Sequence, residues 1–487
     1  MGRSRPWLAA FAIVVAIAIH ARAAGDILQD GAWEGPISWP VIAIHTVLLP
    51  SGEVLQFSYL PHVREPQPVA EQHVVLAPPG LGAEAWVIDP RTLVGHDVGL
   101  ARSLFCGGHS LLPDGRALIT GGTLRHDPDA GLRDTHVFDP QLRSWTRLAD
   151  MRRGRFYPTN VTLEDGRTVV LSGVDEGGSI NRRVELFDAA SGWSVLPGAD
   201  HSLDLYPRAH LLSSGLVVVV GPGRTTETLD VASAAWQAVA ETRYPERREG
   251  TSFLIPRQRD QVMVLGGFTS PHLATYTTER IDLAQPDPSW QWGPPMNRQR
   301  CFLNAIILLD GNVLVLGGQR DVSDQRTAVL PTELYEPDRN AFRMVASLHR
   351  ARLYHSSAAL LPDGRVIVGG GDGERTVELY SPPYMFRSRP RITQAPATIH
   401  YGERFLVSYQ PTAGDDPIVE VALLRPGDNH ALGEHGPAPR VAAGRPAPLA
   451  WLRRGSRADA GAAGSLPARR SSPPGACRPV ATIVMLQ

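Results

Sequence analysis

The chain has 487 residues, and its 48 Lys and Arg residues nearly balance 49 Asp and Glu residues, giving a formal net charge of −1. This balance gives no basic footprint for nucleic acid, and the 43% hydrophobic content is that of an ordinary globular protein. The 47 glycines and 42 prolines cluster at turns, which favours short strands over long helices.

The first 23 residues have the features of an export signal. Arg3 and Arg5 precede an apolar run from Trp7 to Ile19, and Ala21-Arg22-Ala23 has the small-x-small form of a cleavage site. The run is shorter than the about 20 residues that a membrane span needs, and an uncleaved anchor is the alternative. We predict a signal peptide over residues 1–23 and a secreted mature protein without membrane attachment.

A hairpin that recurs about every 50 residues dominates the rest of the chain, and this is the spacing of kelch-type propeller blades. Each turn leads into a β-branched run, and most of these runs end in a glycine pair. The glycines of the turns are Gly52, Gly115, Gly166, Gly215, Gly311 and Gly364, with a degenerate copy at Arg259-Asp260-Gln261. Seven copies predict a closed ring of seven four-stranded blades over residues 32–385.

The pattern changes after residue 385. Runs such as Phe405 to Tyr409 and Glu420 to Leu424 predict the first strands of an immunoglobulin-like sandwich over residues 386–427. Residues 428–487 are rich in Ala, Arg, Gly and Pro, which predicts an atypical low-order tail with little sheet pairing. The predicted fold is therefore all-β, a seven-bladed kelch-type propeller followed by an incomplete sandwich. We hypothesise that the gene is read out of frame from about residue 428.

The turn glycines also define a register for residues that carry chemistry. Equivalent positions in successive blades are related by rotation about the propeller axis, so their side chains should form a ring near one mouth of the channel. Counting back nine residues from the turn glycines gives Cys106, Tyr157, Tyr206, Phe302 and His355. Tyr354 and Cys301 lie one residue earlier.

Each of these residues also has a structural interpretation. A lone Cys is usually a buried small hydrophobe, and a Tyr usually packs with its hydroxyl hydrogen-bonded. The shared register favours a functional cluster of Cys106, Tyr157, Tyr354 and His355, and leaves Tyr206 and Cys301 as packing residues. A Cys106–Cys301 disulfide is a further option if the two sulfurs are adjacent.

The chemistry of this set points to copper. Imidazole nitrogen and phenolate oxygen suit Cu(II), and a thiol beside a phenol allows an oxidative carbon–sulfur link. Three motifs, Phe105-Cys106-Gly-Gly-His, Arg155-Phe-Tyr157-Pro-Thr and Arg352-Leu-Tyr354-His355-Ser, each stand one blade from their glycine-ended strand. Together they resemble the copper radical oxidases, namely galactose oxidase and, more closely, glyoxal oxidase.

The resemblance implies a site of one copper ion and a Cys106–Tyr157 thioether radical cofactor. Tyr157 would be an equatorial ligand and the radical carrier, Tyr354 the axial ligand and His355 an equatorial one. The family takes a second equatorial histidine from the sandwich domain. His430 is close to the expected place and His435 is a weaker alternative, but the Asp-Gln-Arg that follows in the family is missing here.

The resemblance implies a secreted, copper-dependent oxidase that converts a small aldehyde or primary alcohol and O2 into oxidised product and H2O2. We expect a monomer without a nucleic-acid or membrane partner. One alternative is a non-catalytic kelch propeller that binds protein or glycan through its loops, since fold does not fix function. Another is a degenerate oxidase that has lost its fourth copper ligand.

Overall fold

The computed structural model describes residues 26–59, 83–100, 102–126, 128–269, 272–396 and 405–411, and short strands at 420–424, 428–430, 434–435, 464–465 and 482–486. The predicted signal peptide lies outside these residues. Across the described part of the chain, no helix combines the length and apolar character needed to cross a bilayer.

Seven antiparallel sheets form the blades of a closed propeller, which confirms the predicted fold class. The first strand of each blade is the inner strand, because these strands contact one another around the axis. Blade 1 contains His45–Leu48, Val54–Phe57, Ala85–Ile88 and Gly95–Asp97. Blade 2 contains Gly108–Leu111, Ala117–Thr120, Thr135–Asp139 and Ser144–Arg147, with a separate hairpin of Thr123–His126 and Asp129–Gly131.

The next four blades repeat this arrangement. Blade 3 contains Thr159–Thr162, Thr168–Leu171, Glu185–Asp188 and Gly192–Val195. Blade 4 contains Ala209–Leu211, Val217–Val219, Thr225–Asp230 and Ala235–Glu241. Blade 5 contains Arg248–Leu254, Gln261–Phe268, Thr278–Asp282 and Gln291–Trp292. Blade 6 contains Asn304–Ile307, Val313–Leu316, Thr332–Glu336 and Ala341–Val345, and a short 3₁₀ helix spans Gln325–Thr327.

Blade 7 closes the ring with a strand from the other end of the propeller. Its strands Ser356–Leu360, Val366–Gly370 and Thr376–Ser381 are followed by a 3₁₀ helix at Pro383–Phe386, and its outermost strand is Ala32–Ser38, which follows the helix Ile27–Asp30. The closing pair is antiparallel, with Ala32 opposite Ser381. Because the first and last propeller strands pair with each other, backbone hydrogen bonds join the two ends of the propeller and close the ring.

In blades 2 to 5, a tryptophan on or next to the outer strand ties the blade to the one before it. Each of these four indoles donates its N–H across the blade boundary, which satisfies the one polar atom of a large, mostly apolar ring. The acceptors are Val98 O for Trp145 (3.0 Å), Thr135 Oγ1 for Trp193 (2.9 Å), Ala199 O for Trp236 (2.9 Å) and Thr226 Oγ1 for Trp290 (2.8 Å).

Buried ion pairs lie behind the channel mouth in four blades. In each pair an Arg that precedes the inner strand meets a Glu on the third strand, and both side chains are shielded from water. The pairs are Arg155–Glu185 (2.9 Å), Arg247–Glu279 (2.8 Å), Arg300–Glu333 (2.8 Å) and Arg352–Glu378 (3.6 Å). Each Glu also accepts a backbone N–H from the loop that leads into the inner strand. Paired and hydrogen-bonded in this way, the charges hold that loop in place.

Beyond the propeller the structure describes two small sheets. Arg391–Gln394 pairs with Leu406–Gln410, which also pairs with Gly464–Ser465, and Glu420–Leu424 pairs with Thr482–Leu486. Much of the segment predicted as a sandwich lies outside the described residues, so the sandwich stays a prediction. The composition of the tail predicted little pairing, yet its described strands are all paired.

One hairpin of this tail returns to the channel. Asp428–His430 pairs with the inner strand of blade 1 and lies beside the inner strands of blades 2 and 7. Glu434–His435 completes the hairpin next to the inner strand of blade 5. The free inner edge of blade 1 explains this pairing, because its unpaired backbone groups can accept one more strand.

Candidate metal centre

Six consecutive blades place a residue with left-handed backbone at or just before the inner strand, and we call these six residues the mouth ring. They are Cys106 (φ 58°), Tyr157 (65°), Tyr206 (43°), Glu249 (51°), Phe302 (57°) and His355 (64°). Five of them are the positions that the turn glycines predicted. A positive φ is uncommon for bulky side chains, so its recurrence identifies a conformation that the scaffold imposes in every one of these blades.

Backbone hydrogen bonds connect members of the mouth ring between blades. Tyr157 N–H donates to Cys106 O and Tyr206 N–H donates to Tyr157 O, both at 2.9 Å. Farther round, Phe302 N–H donates to Glu249 O at 2.7 Å. These bonds fix the spacing of neighbouring ring residues, so the side chains are held in position before any ligand arrives.

Two tyrosine hydroxyls meet inside the ring. The hydroxyls of Tyr157 and Tyr354 are 2.7 Å apart, and the Tyr354 ring lies 3.7 Å from the His355 ring between centroids. Burial raises the pKa of both tyrosines well above the ordinary value, with a further contribution from Cys106. Both phenols are therefore neutral here, and a bound cation would reverse that preference by stabilising the phenolate.

The Cys106 side chain is fully buried against these tyrosines. Burial raises the pKa of its thiol, while the neighbouring Tyr157 and Tyr206 hydroxyls lower it. Tyr157 packs against the buried cluster that contains Cys106. Cys106 and Cys301 are both free thiols, so the disulfide considered from the sequence is absent.

His45 supports Cys106 from behind, and sequence reasoning missed it. Its Nε2 accepts the Cys106 N–H at 3.1 Å, and its ring stacks on Phe57 with centroids 4.4 Å apart. Burial lowers the pKa of His45, helped by His109 and by His355, which keeps the ring neutral and able to accept. No repeat motif marks His45, because blade 1 contributes none of the predicted residues to the mouth ring.

His355 has one ring nitrogen fixed and one available. Its Nδ1 lies 2.7 Å from Asp372 Oδ1, whereas the buried Nε2 has no hydrogen-bond partner among the described residues. A carboxylate that holds Nδ1–H fixes the tautomer and leaves the Nε2 lone pair for a metal. Asp372 was also missed, although it directly follows the glycine pair that ends its strand and could have been found there.

The backbone of His430 lies at the edge of the channel. In the added strand it stands opposite His45 in the register. Its side chain, like that of His435, lies outside the described residues. A ligand role for His430 therefore stays a prediction.

The donor set of the described residues fits copper. No group of three or more His, Cys, Asp or Glu side chains among them has the spacing of a metal site. A metal at the mouth ring therefore has to draw on the oxygens of Tyr157 and Tyr354 and on the orphaned Nε2 of His355. A mixed N,O set of this kind is what Cu(II) prefers.

Comparison with known proteins gives a consistent result. The family described as "Glyoxal oxidase N-terminus" matches residues 83–385. A galactose oxidase of Gibberella zeae is 27% identical over 366 residues, covering 66% of this chain and 52% of that protein. The aldehyde oxidase GLOX of Vitis pseudoreticulata is 26% identical over 376 residues, covering 66% and 69%. The chain thus spans about half the length of the galactose oxidase.

A solved structure shares the fold. It is a fungal alcohol oxidase of the AA5 family in complex with copper, and it superimposes with a TM-score of 0.71 at 21% identity. The match covers 84% of this chain and 89% of the other. At this level of identity the likeness carries the architecture, and the chemistry has to be argued from the residues.

Proposed function

This chain belongs to the glyoxal oxidase family of copper radical oxidases, and on that premise we propose that it oxidises a small aldehyde or primary alcohol with O2, releasing H2O2. The observation that carries the proposal is the meeting of the Tyr157 and Tyr354 hydroxyls beside the Cys106 thiol. Packing alone does not require two phenols and a thiol to share one buried corner beside an imidazole nitrogen that lacks a partner.

Tyr157, Tyr354 and His355 are the residues that would hold the copper ion, with His430 as the predicted fourth ligand. When bound, copper supplies a one-electron redox partner and a positive charge. Asp372 supports the site by fixing the His355 ring, because its carboxylate binds Nδ1–H and leaves the Nε2 lone pair for the metal.

We propose that Cys106 and Tyr157 form a thioether in the mature protein. The Cys106 Sγ bonds to a ring carbon next to the Tyr157 hydroxyl, and the thiol hydrogen and one ring hydrogen leave. Two electrons and two protons pass to O2, which becomes H2O2, so the step is balanced. The sulfur substituent makes the ring easier to oxidise, which suits Tyr157 to carry a radical.

In turnover the two tyrosines have different tasks. Tyr354 accepts the hydroxyl proton of the substrate, and the Tyr157 radical takes a hydrogen atom from the adjacent carbon. For an alcohol the balanced reaction is RCH2OH + O2 → RCHO + H2O2. Burial raises the pKa of both phenols, so a bound copper ion would supply the positive charge that Tyr354 needs to act as a base.

The direct test is peroxide release by copper-loaded protein given methylglyoxal or simple primary alcohols, beside the same protein stripped with a chelator. Copper-dependent peroxide supports the proposal. Bound copper without peroxide would indicate a degenerate oxidase, and loss of the fourth copper ligand would be the first cause to test. Protein that binds no copper would favour the non-catalytic propeller.

Export is a separate part of the proposal. The apolar run and small-residue site over residues 1–23 support secretion through the ordinary export route. Protein recovered from the medium should begin at residue 24, as read by N-terminal sequencing. Retention in the cell with an intact N-terminus would contradict secretion and leave the oxidase proposal untouched.

A further inference from the structure

Glu249 occupies the mouth-ring position of blade 5. Counting back from the turn did not identify Glu249, because the turn between Leu254 and Val262 is two residues longer than the turn between Leu360 and Val366 in blade 7. In both blades the ring residue stands five positions before the last paired residue of the inner strand. Glu249 is therefore the structural equivalent of His355, and it is the only carboxyl in the ring.

The carboxyl of Glu249 has no partner of its own. Among the described residues, no side chain makes a hydrogen bond or ion pair with it. The two nearby arginines are engaged elsewhere, since Arg208 Nε donates to Gly250 O at 3.0 Å and Arg248 Nε donates to Glu246 at 2.6 Å. A half-buried carboxyl without a protein partner is open to solvent and therefore available to a ligand.

The same carboxyl lies within electrostatic reach of the proposed proton acceptor. A charge on Glu249 raises the pKa of Tyr354 on one side and of Cys301 on the other. Burial raises the pKa of Glu249 itself to about 7, against the influence of Arg208 and Arg248. The group can therefore accept a hydrogen bond as a carboxylate or donate one as an acid near neutral pH.

From this placement we infer that Glu249 determines substrate specificity by hydrogen-bonding the second hydroxyl of a hydrated aldehyde. The inference rests on the proposed oxidase function and narrows its substrate class. One hydroxyl of the hydrate gives its proton to Tyr354, and the other meets Glu249. The balanced reaction is RCH(OH)2 + O2 → RCOOH + H2O2, in which one hydrogen leaves carbon and one leaves oxygen.

A primary alcohol has no second hydroxyl and leaves Glu249 without a partner. A hydrogen bond to a charged group discriminates by roughly 10- to 100-fold, and an unpaired buried polar group adds to that preference. The hydrated aldehyde should therefore be the better substrate by at least this factor. Tyr206 and Phe302, which flank Glu249 in the ring, offer no carboxyl that could replace it.

The kinetic test compares two substitutions at this position. Glu249→Leu should lower kcat/KM for methylglyoxal by about 10- to 100-fold and leave kcat/KM for a small primary alcohol within about twofold. Glu249→Gln, which keeps hydrogen-bonding atoms, should retain most of the preference. Glu241→Leu is the control, because that carboxylate is exposed on the outer strand of blade 4. Equal losses on both substrates in Glu249→Leu would overturn the inference.

A binding test gives a readout that needs no turnover. The hydrate of trifluoroacetone has two hydroxyls and no oxidisable C–H at their carbon, and 1,1,1-trifluoro-2-methyl-2-propanol replaces one hydroxyl with methyl. The chain contains no lysine amine to react with the ketone. ¹⁹F NMR titration of copper-loaded wild-type protein should show tighter binding of the hydrate, by about 10-fold or more, and Glu249→Leu should abolish that difference.

The two tests separate the two proposals. A hydrate preference that depends on Glu249 in a protein that makes no peroxide would overturn the oxidase function and keep the assignment of Glu249. Peroxide production with the same hydrate preference in wild-type and Glu249→Leu protein would overturn the assignment alone. Equal thermal midpoints of the variants show that a lost preference does not reflect misfolding.

Discussion

Two buried cysteines lie close to the channel mouth, and their surroundings differ. Cys106 of blade 2 is a ring residue in a buried cluster against which Tyr157 packs. Cys301 precedes the ring residue of blade 6, and its Sγ donates to Gln319 O at 3.4 Å. A shift of one residue in register thus separates a thiol beside a phenol from a thiol used in packing. Position within the blade, rather than residue type or burial, decides what each cysteine can do.

Thiol acidity does not distinguish the two sites. Burial raises the pKa of Cys301 to about 12 and the pKa of Cys106 well above its ordinary value. Neither group is a thiolate at neutral pH, so reactivity through simple nucleophilic attack is suppressed in both. The difference has to come from the neighbours of each sulfur, because Tyr157 packs against the Cys106 cluster, whereas the Cys301 sulfur is held by its hydrogen bond to Gln319 O.

The largest loss of activity should come from removing the hydroxyl of Tyr157, the tyrosine that packs against the Cys106 cluster. Tyr157→Phe deletes the ligand oxygen and the proposed radical carrier, so copper-dependent peroxide release should vanish. The measurement is a peroxide assay with copper content determined on the same sample. Activity in this variant comparable to wild type would contradict the role assigned to Tyr157.

Tyr354 packs with the Cys301 cluster and should respond differently. Tyr354→Phe leaves Cys106 and Tyr157 able to react but removes the group that accepts the substrate proton. Turnover should fall by about 10²- to 10⁴-fold, the usual contribution of a positioned base, while copper stays bound. Equal, modest losses in Tyr157→Phe and Tyr354→Phe would show that the two phenols do not have distinct tasks.

The buried Arg–Glu pairs of blades 3 and 6 should contribute equally to the free energy of unfolding. Arg155 and Arg300 are fully buried and each pairs with a Glu at 2.8 to 2.9 Å, Arg155 in blade 3 and Arg300 in blade 6. Replacing either Arg with Met strands a buried carboxylate, so each variant should lose about 3–5 kcal/mol of unfolding free energy. Denaturant titration checks this, with Arg326→Met, an exposed Arg, as the control. A large loss in only one blade would mean that the two sides are built differently.

Asp372 should affect metal binding more than folding. Asp372→Ala frees the His355 ring to rotate and change tautomer, and copper affinity should fall by about 10- to 100-fold. Competition with a chromogenic chelator measures the affinity, and Asp372→Asn, which still accepts from Nδ1–H, should lose less. Unchanged copper affinity in Asp372→Ala would indicate that His355 is not a ligand.

The smallest effect should come from Cys301. Cys301→Ser keeps a donor for Gln319 O in the same buried position, so peroxide release and copper content should stay within about twofold of wild type, as for a conservative packing change. A severe loss of activity at unchanged stability would indicate that Cys301 of blade 6, rather than Cys106, is the functional thiol.

The repeated part of the molecule could be predicted from the sequence, because turn glycines and β-branched runs are dictated by local backbone geometry. The same register gave Tyr157 and His355. It failed for Glu249, where a longer turn shifts the count by two. His45 acts through a tertiary contact that no local pattern encodes. Asp372 directly follows the glycines that end its strand, so its position could have been found from the repeat. The composition of the tail likewise gave no sign that Asp428–His430 would pair with blade 1.

The central claim is that Cys106 and Tyr157 join. The most direct test is mass analysis of intact protein, reduced and peptide-mapped, after exposure to copper and O2. We expect the loss of two hydrogens, mapped to linked peptides that contain Cys106 and Tyr157. The loss should resist thiol reductants, be absent without copper and in Cys106→Ser, and persist in Cys301→Ser. An unchanged mass with copper bound would contradict the account, as would a loss that reductants reverse, since that marks a disulfide.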